Sequence, residues 1–105
     1  MKNKAGNVFL LDELLAILSS RKKPLFEKFG AVDVAVFGSY AIEEQEPTSD
    51  VDIFVELKKE FKTFDNYMDL KFFLEELLNK KVDLVTKEAI RAEIQPRVFM
   101  EAVHV

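Results

Sequence analysis

The sequence predicts an α/β fold: a small mixed β-sheet with helices packed mainly on one face. Three observations lead there. Three short runs rich in β-branched residues, Val32 to Phe37, Asp50 to Leu57 and Lys81 to Thr86, read as strands. Apolar stripes at three- and four-residue spacing precede the first run and separate the last two, and read as helices. The first two runs are joined by too few residues for a full crossover helix, so they pair antiparallel and the sheet is mixed. Alternation of strands and helices then layers the helices against that sheet.

In order along the chain, Met1 to Asn7 is a polar terminus. Val8 to about Ser20 is a helix whose Leu11, Leu14, Leu15 and Leu18 form one apolar stripe. Arg21 to Lys23 is basic and reads as a solvated helix end; the alternative is help with a triphosphate or an acidic partner. Pro24 opens a second short helix that turns Leu25, Phe26 and Phe29 inward, and Gly30 suits the stop after it. In the first strand Val32, Val34 and Val36 alternate with Asp33 and Ala35. Gly38 lacks a Cβ, so the chain can turn there or a phosphate can come close. Ser39 is a plausible N-cap for a short helix from Tyr40 to about Glu44, whose first N–H groups favour an anion. Pro47, Thr48 and Ser49 mark a loop before the second strand.

After Lys58 to Thr63, Asp65 is placed to cap a helix running to about Asn79, with Met68, Phe72, Leu74, Leu77 and Leu78 as its apolar face. Phe61, Phe64 and Tyr67 read as core aromatics, with a base-stacking platform as the alternative. The third strand contains one acid, Asp83. Lys87 to about Ala102 reads as a turn and a final helix, with Ile90, Ile94, Val98, Met100 and Ala102 on its apolar side and Pro96 bending it. Ala102 to Val105 suits a short strand. His104, the single histidine, reads as packing or surface.

With 105 residues, the length suits one domain spanning 1–105, and a hydrophobic content of 49% with ten phenylalanines suits a packed core. The formal net charge is −4, with both signs spread along the chain, which argues against strong nucleic-acid binding. Without cysteine there is no disulfide, thiolate zinc site or cysteine nucleophile. No apolar run has the length of a membrane span and no signal-like core opens the chain, so a cytoplasmic location without membrane association is expected.

Asp50 and Asp52 carry the chemistry. Residues i and i+2 of a strand share a face, so two carboxylates meet at a strand start beside a Gly-Ser turn. Left alone they repel, and each raises the other's pKa. A divalent cation removes the conflict, and Mg²⁺ prefers one or two carboxylates plus phosphate oxygens. The stretch thus combines a phosphate-holding turn with a metal-holding pair.

Gly38-Ser39, nine residues, then Ser49-Asp50-Val51-Asp52 between two apolar strands resembles the signature of the DNA-polymerase-beta-like nucleotidyltransferase superfamily, and the short chain resembles its minimal, MntA-like members. The resemblance implies the polymerase-beta-like nucleotidyltransferase fold. It also implies a third carboxylate from the strand after the helix, where Asp83 stands. With three acids, two Mg²⁺ ions become reasonable, and Mn²⁺ also suits oxygen ligands. Asp50, Asp52 and Asp83 are then the metal-binding and catalytic residues, and Gly38, Ser39 and Ser49 bind the nucleotide. The implied reaction is transfer of a nucleoside monophosphate, AMP from ATP, to a hydroxyl. Similar small proteins pair with a HEPN-domain toxin and neutralise it by AMP transfer to a tyrosine. One departure weighs against activity. The family's Gly-Ser-x-Ala-Arg-Gly stands here as Gly38-Ser39-Tyr40-Ala41-Ile42-Glu43, and Glu43, Glu44 and Glu46 place acids near a triphosphate. The alternative is therefore a weak or inactive member that neutralises its partner by binding alone.

Overall fold

The computed structural model describes residues 10–90 and 101–105. Helices α1 (Leu11–Ser20) and α2 (Lys22–Glu27) lead into strand β1 (Ala31–Phe37). Strand β2 (Val51–Leu57), helix α3 (Phe64–Leu78), strand β3 (Val82–Thr86) and strand β4 (Val103–His104) follow. The sheet order is β3-β2-β1-β4. β1 runs antiparallel to β2 and β4, while β2 and β3 are parallel. A parallel pair needs a crossover, and α3 supplies it. This is the mixed α/β sheet that the sequence predicts.

The main core lies between one face of the sheet and the helices. Val34 and Val36 of β1, Val51, Ile53, Val55 and Leu57 of β2, and Val82 and Leu84 of β3 meet Leu14, Leu18, Leu25, Phe29, Leu70, Leu74 and Leu78. Each such side chain contributes about 1.5–3 kcal/mol when fully buried, so this face dominates stability. The opposite face has a smaller cluster of Ala35, Phe54 and Ile90, with Phe37, Val85 and Ala102 against it. At one end of that second face the apolar cover stops and the carboxylates begin.

Several local expectations are corrected. Leu10 is extended and α1 begins at Leu11, with Glu13 Oε1 accepting from the Leu10 N–H at 2.8 Å. Val32 is 49% exposed instead of continuing the buried alternation. Ala31 pairs with Leu57 and Asp33 with Glu56, so Val32 is the extra residue of a β-bulge. Thr63, not Asp65, caps α3: Thr63 Oγ1 accepts from the Asn66 N–H at 3.1 Å. The Asn66 side chain also donates to the carbonyls of Phe29 (2.9 Å) and Phe61 (3.0 Å), fixing the entry of α3 against the corner between α2 and β1. Phe72 is 56% exposed. Leu70 takes the inward place, and Phe73 packs against Phe29. Asn79, in the left-handed region, ends the helix.

Phe61 and Tyr67 pack against the main core, and the Tyr67 hydroxyl donates to the Leu84 carbonyl at 2.6 Å. With exposed Phe64, Tyr67 lines a cavity of about 400 Å³ beside Leu57 and Thr86. That cavity lies at the far ends of β2 and β3 from Asp50; the core reading holds for Phe61 and Tyr67 and is corrected for Phe64, which is 75% exposed. Arg21, Lys22 and Lys23 are exposed at the α1–α2 junction, in the helical layer across the sheet from the acids. His104 Nδ1 lies 2.8 Å from Asp33 Oδ1 and joins β4 to β1, a surface contact between the two strands. The readings of Met1 to Asn7 and of a final helix through Ile94, Pro96, Val98 and Met100 lie outside the described residues. No helix among the described residues is long and apolar enough to cross a membrane.

Candidate active site

The three aspartates come from two strand starts. Asp50 immediately precedes β2, Asp52 is its second residue, and Asp83 is the second residue of β3. Parallel pairing sets Asp52 beside Asp83, and antiparallel pairing sets Phe37, the last residue of β1, on the other side of Asp52. Since inward positions of β2 and β3 are odd and even respectively, Asp52 and Asp83 both face away from the helices. Asp50 shares that face by its i,i+2 relation to Asp52. All three predicted acids therefore gather at one end of the open face. Asp50 and Asp83 are exposed, and Asp52 is partly buried between its neighbours.

The electrostatics follow from that crowding. Burial, the charges of Asp83 and Asp50, and a hydrogen bond with Asp83 push the Asp52 carboxyl up to about 6. Adjacent strands stand about 4.8 Å apart, so two ionised carboxylates at paired positions repel strongly and a shared proton relieves them. Among the described residues no three acidic or histidine side chains form a ready-made cage for an ion. The donor set is carboxylate only. It fits a hard cation whose shell is completed by nucleotide phosphates, not one held by protein alone.

Gly38 joins the turn to the acids. Its φ is +72°, and a Cβ at this position would fall onto Asp52 Oδ2. The missing side chain is what lets the Asp52 carboxylate lie against the turn. This is a steric reason for a glycine at the end of β1 and an aspartate in β2 to occur together.

The segment after Gly38 differs from the expected capped helix. Gly38–Tyr40 is a single 3₁₀ turn, Phe37 holds the cap position, and no side chain caps it, so Ser39 is not an N-cap. Ala41 and Ile42 donate to the Gly38 carbonyl. Glu43 then donates to Tyr40 (3.3 Å) and Glu44 to Ser39 (2.8 Å), the paired bonds of a Schellman closure. Glu43 occupies the left-handed position of that closure, with φ 59°. Glu43, standing where the resembled pattern has glycine, adopts this left-handed backbone at a steric penalty. Glu43→Gly is expected to raise stability by about 1 kcal/mol, read as a shift in the denaturant midpoint. Glu43, Glu44 and Glu46 are exposed, and Ile42 is 43% exposed.

Two residues of this region have roles that the sequence alone does not reveal. Tyr40 is fully buried beneath the turn, and its hydroxyl has no partner among the described residues. Burial pushes its pKa above the usual value. Lys80, beyond the end of α3, donates from Nζ to the Pro47 carbonyl at 3.1 Å. Neither stands in a pattern that marks it. Ser49 closes the loop before Asp50: its backbone N–H donates to the Glu46 carbonyl at 2.9 Å, and its Oγ accepts from the Glu46 N–H at 2.9 Å.

Comparison with known proteins agrees with this geometry. Residues 11–105 match the family model described as a nucleotidyltransferase domain. The protein adenylyltransferase MntA of Thermococcus cleftensis is 40% identical over 95 residues, which are 90% of this chain and 95% of that protein. A solved structure of a candidate minimal nucleotidyltransferase superposes with a TM-score of 0.73 at 32% identity, covering 90% of this chain and 95% of its own. The structure of a tri-AMPylated Shewanella oneidensis HEPN toxin in complex with an MNT antitoxin also matches, with a TM-score of 0.55 at 18% identity over 90% of this chain and 66% of that one. At that identity the likeness is one of fold.

Proposed function

The chain belongs to the nucleotidyltransferase domain family and is a nucleotidyltransferase, and we propose that it transfers AMP from ATP to a tyrosine hydroxyl of a HEPN-type toxin, acting as its antitoxin. The observation that carries the reading is the register that sets Asp52 beside Asp83 and against Gly38. The adenylyltransferase relative and the antitoxin of like fold point to the same donor and kind of partner.

In this reading the acceptor oxygen attacks the α-phosphorus, a new P–O bond forms, and pyrophosphate leaves. Asp83, exposed beside Asp52, accepts the proton of the attacking hydroxyl. The Gly38-Ser39 turn offers backbone N–H groups to the β- and γ-phosphates, and Ser49 adds a hydroxyl donor. Asp50, Asp52 and Asp83 would hold Mg²⁺, two ions in the full arrangement, with Mn²⁺ able to substitute. Such ions supply Lewis-acid neutralisation of phosphate charge. Positioning and charge stabilisation supply most of the rate. A minimal domain presents little surface for choosing an acceptor, which suits an acceptor delivered by a bound partner.

The second reading, neutralisation by binding alone, is favoured by the turn: Ile42 is an exposed apolar side chain and Glu43 an exposed acid at the rim of the site. The two separate in one assay. ATP labelled at the α-phosphate, Mg²⁺, the protein and its co-purified partner are expected to give label on the partner, with the mass increase of one or more AMP groups. An unlabelled partner that is nevertheless silenced would sink AMP transfer and leave binding alone.

A further inference from the structure

A nucleoside triphosphate brings several negative charges to an end of the sheet that is already acidic. Asp50, Asp52 and Asp83 lie there, and Glu43, Glu44 and Glu46 follow the turn. The turn itself, Gly38 to Glu44, contains no basic residue. Any side-chain cation that supplements the metal at this end must come from another part of the fold.

Among the described residues the basic side chains are unevenly placed. Lys58, Lys59, Lys62 and Lys87 lie at the far end of β2 and β3, where Lys62 pairs with Glu88 and Lys87 with Glu56. Lys71 is held by Glu75, and Lys81 acts on the same carboxylate. Lys80 is different. The left-handed Asn79 turns the chain out of α3 just before β3. From there the Lys80 ammonium reaches the Pro47 carbonyl in the loop that delivers Ser49 and Asp50. One of its three N–H groups is used there, and no carboxylate pairs with it among the described residues. A cation held by one neutral acceptor, in contact with the loop that leads to Asp50, has two N–H groups left for an anionic ligand.

We propose that Lys80 is a nucleotide-binding residue that meets the polyphosphate of the triphosphate and offsets the acidity of a turn that has no cation of its own. The inference rests on the nucleotidyl-transfer reading and adds to it a residue outside the Gly-Ser and Asp-x-Asp stretch. A competing role is mechanical: the bond to Pro47 merely pins the loop. Glutamine at position 80 retains an N–H donor for Pro47 without the charge, whereas arginine retains both.

The test measures Kd for ATP and for AMP, with Mg²⁺ present, on wild type, Lys80→Gln and Lys80→Arg, with unfolding midpoints taken alongside. Lys80→Gln is expected to weaken ATP about tenfold while changing AMP less than twofold, and Lys80→Arg to stay within about twofold of wild type for both. ATP affinity unchanged in Lys80→Gln would overturn the proposal. So would equal loss of ATP and AMP, which is the outcome for a loop pin. A wild-type protein that bound neither nucleotide would overturn the nucleotidyl-transfer reading, and this inference with it.

Discussion

Asp52→Asn is expected to abolish transfer and, at the same time, to make the metal-free protein more stable at neutral pH. The loss of activity should be roughly a thousandfold or more, equivalent to about 4 kcal/mol of transition-state stabilisation. The gain in stability has a separate cause. Asp52 is a partly buried carboxylate beside two others, and its pKa is raised from 3.8 to about 6. An acid with a raised folded pKa binds its proton more tightly when folded. Its proton-linked stabilisation is fully present below pH 3.8 and is lost as the pH rises through about 6. Solvent at the site's open side moderates the effect, and about 2 kcal/mol is the expected size at pH 8. Asparagine has no charge to repel Asp83 and retains a group for hydrogen bonding to it.

The measurement is chemical denaturation of both proteins in the absence of divalent metal, from pH 4 to pH 8. Their stabilities should be close at the acid end and diverge across the window in which Asp52 loses its proton. Adding Mg²⁺ with nucleotide should stabilise wild type and not the variant, because a ligand that binds only the folded state shifts the equilibrium by mass action. Equal stabilities at pH 8 would mean that the three carboxylates do not crowd one another as described. Such a site is less stable without its ligands than a neutral one, the usual relation between stability and function.

The same crowding explains what the sequence makes legible and what it does not. Asp50 and Asp52 are readable as a pair because strand alternation is local: a two-residue spacing fixes a shared face whatever the rest of the chain does. Asp83 is reachable only through the family resemblance, since its place beside Asp52 is set by a parallel register that no local rule specifies. Val32 is misjudged for the same reason. Its apolar alternation is real, but a bulge belongs to the pairing of β1 with β2, and one extra residue turns Val32 outward. Around α3, Thr63 and Asp65 are both able to cap, and the choice depends on Asn66, whose side chain is committed to carbonyls 37 and 5 residues away. Phe72 and Phe73 are adjacent aromatics, and periodicity alone assigns the wrong one inward. Glu43 is the least readable of all. A left-handed closure is announced by glycine, and this chain makes the closure without one.

Gly38→Ala is the second large effect, and it is expected to damage both fold and chemistry. A left-handed backbone costs a residue with a side chain about 1–2 kcal/mol. The new methyl would also meet the Asp52 carboxylate, which is confined between Phe37 and Asp83 by the register of three strands. We expect a destabilisation of about 3 kcal/mol in total and a loss of transfer comparable to that of Asp52→Asn. Gly30→Ala is the control for the backbone share. Gly30 has nearly the same φ, +74°, and its Cβ would meet the Phe61 ring, far from the acids. That variant should lose stability yet transfer normally in proportion to its folded fraction. The contact between the turn and the acid is isolated by a double-mutant cycle. If the methyl acts through the Asp52 side chain, the stability penalty of Gly38→Ala shrinks by about 1 kcal/mol or more in an Asp52→Ala background, whereas independent sites would add. Additive penalties would leave Gly38 as a turn residue only and detach it from the carboxylate that the transfer reaction needs.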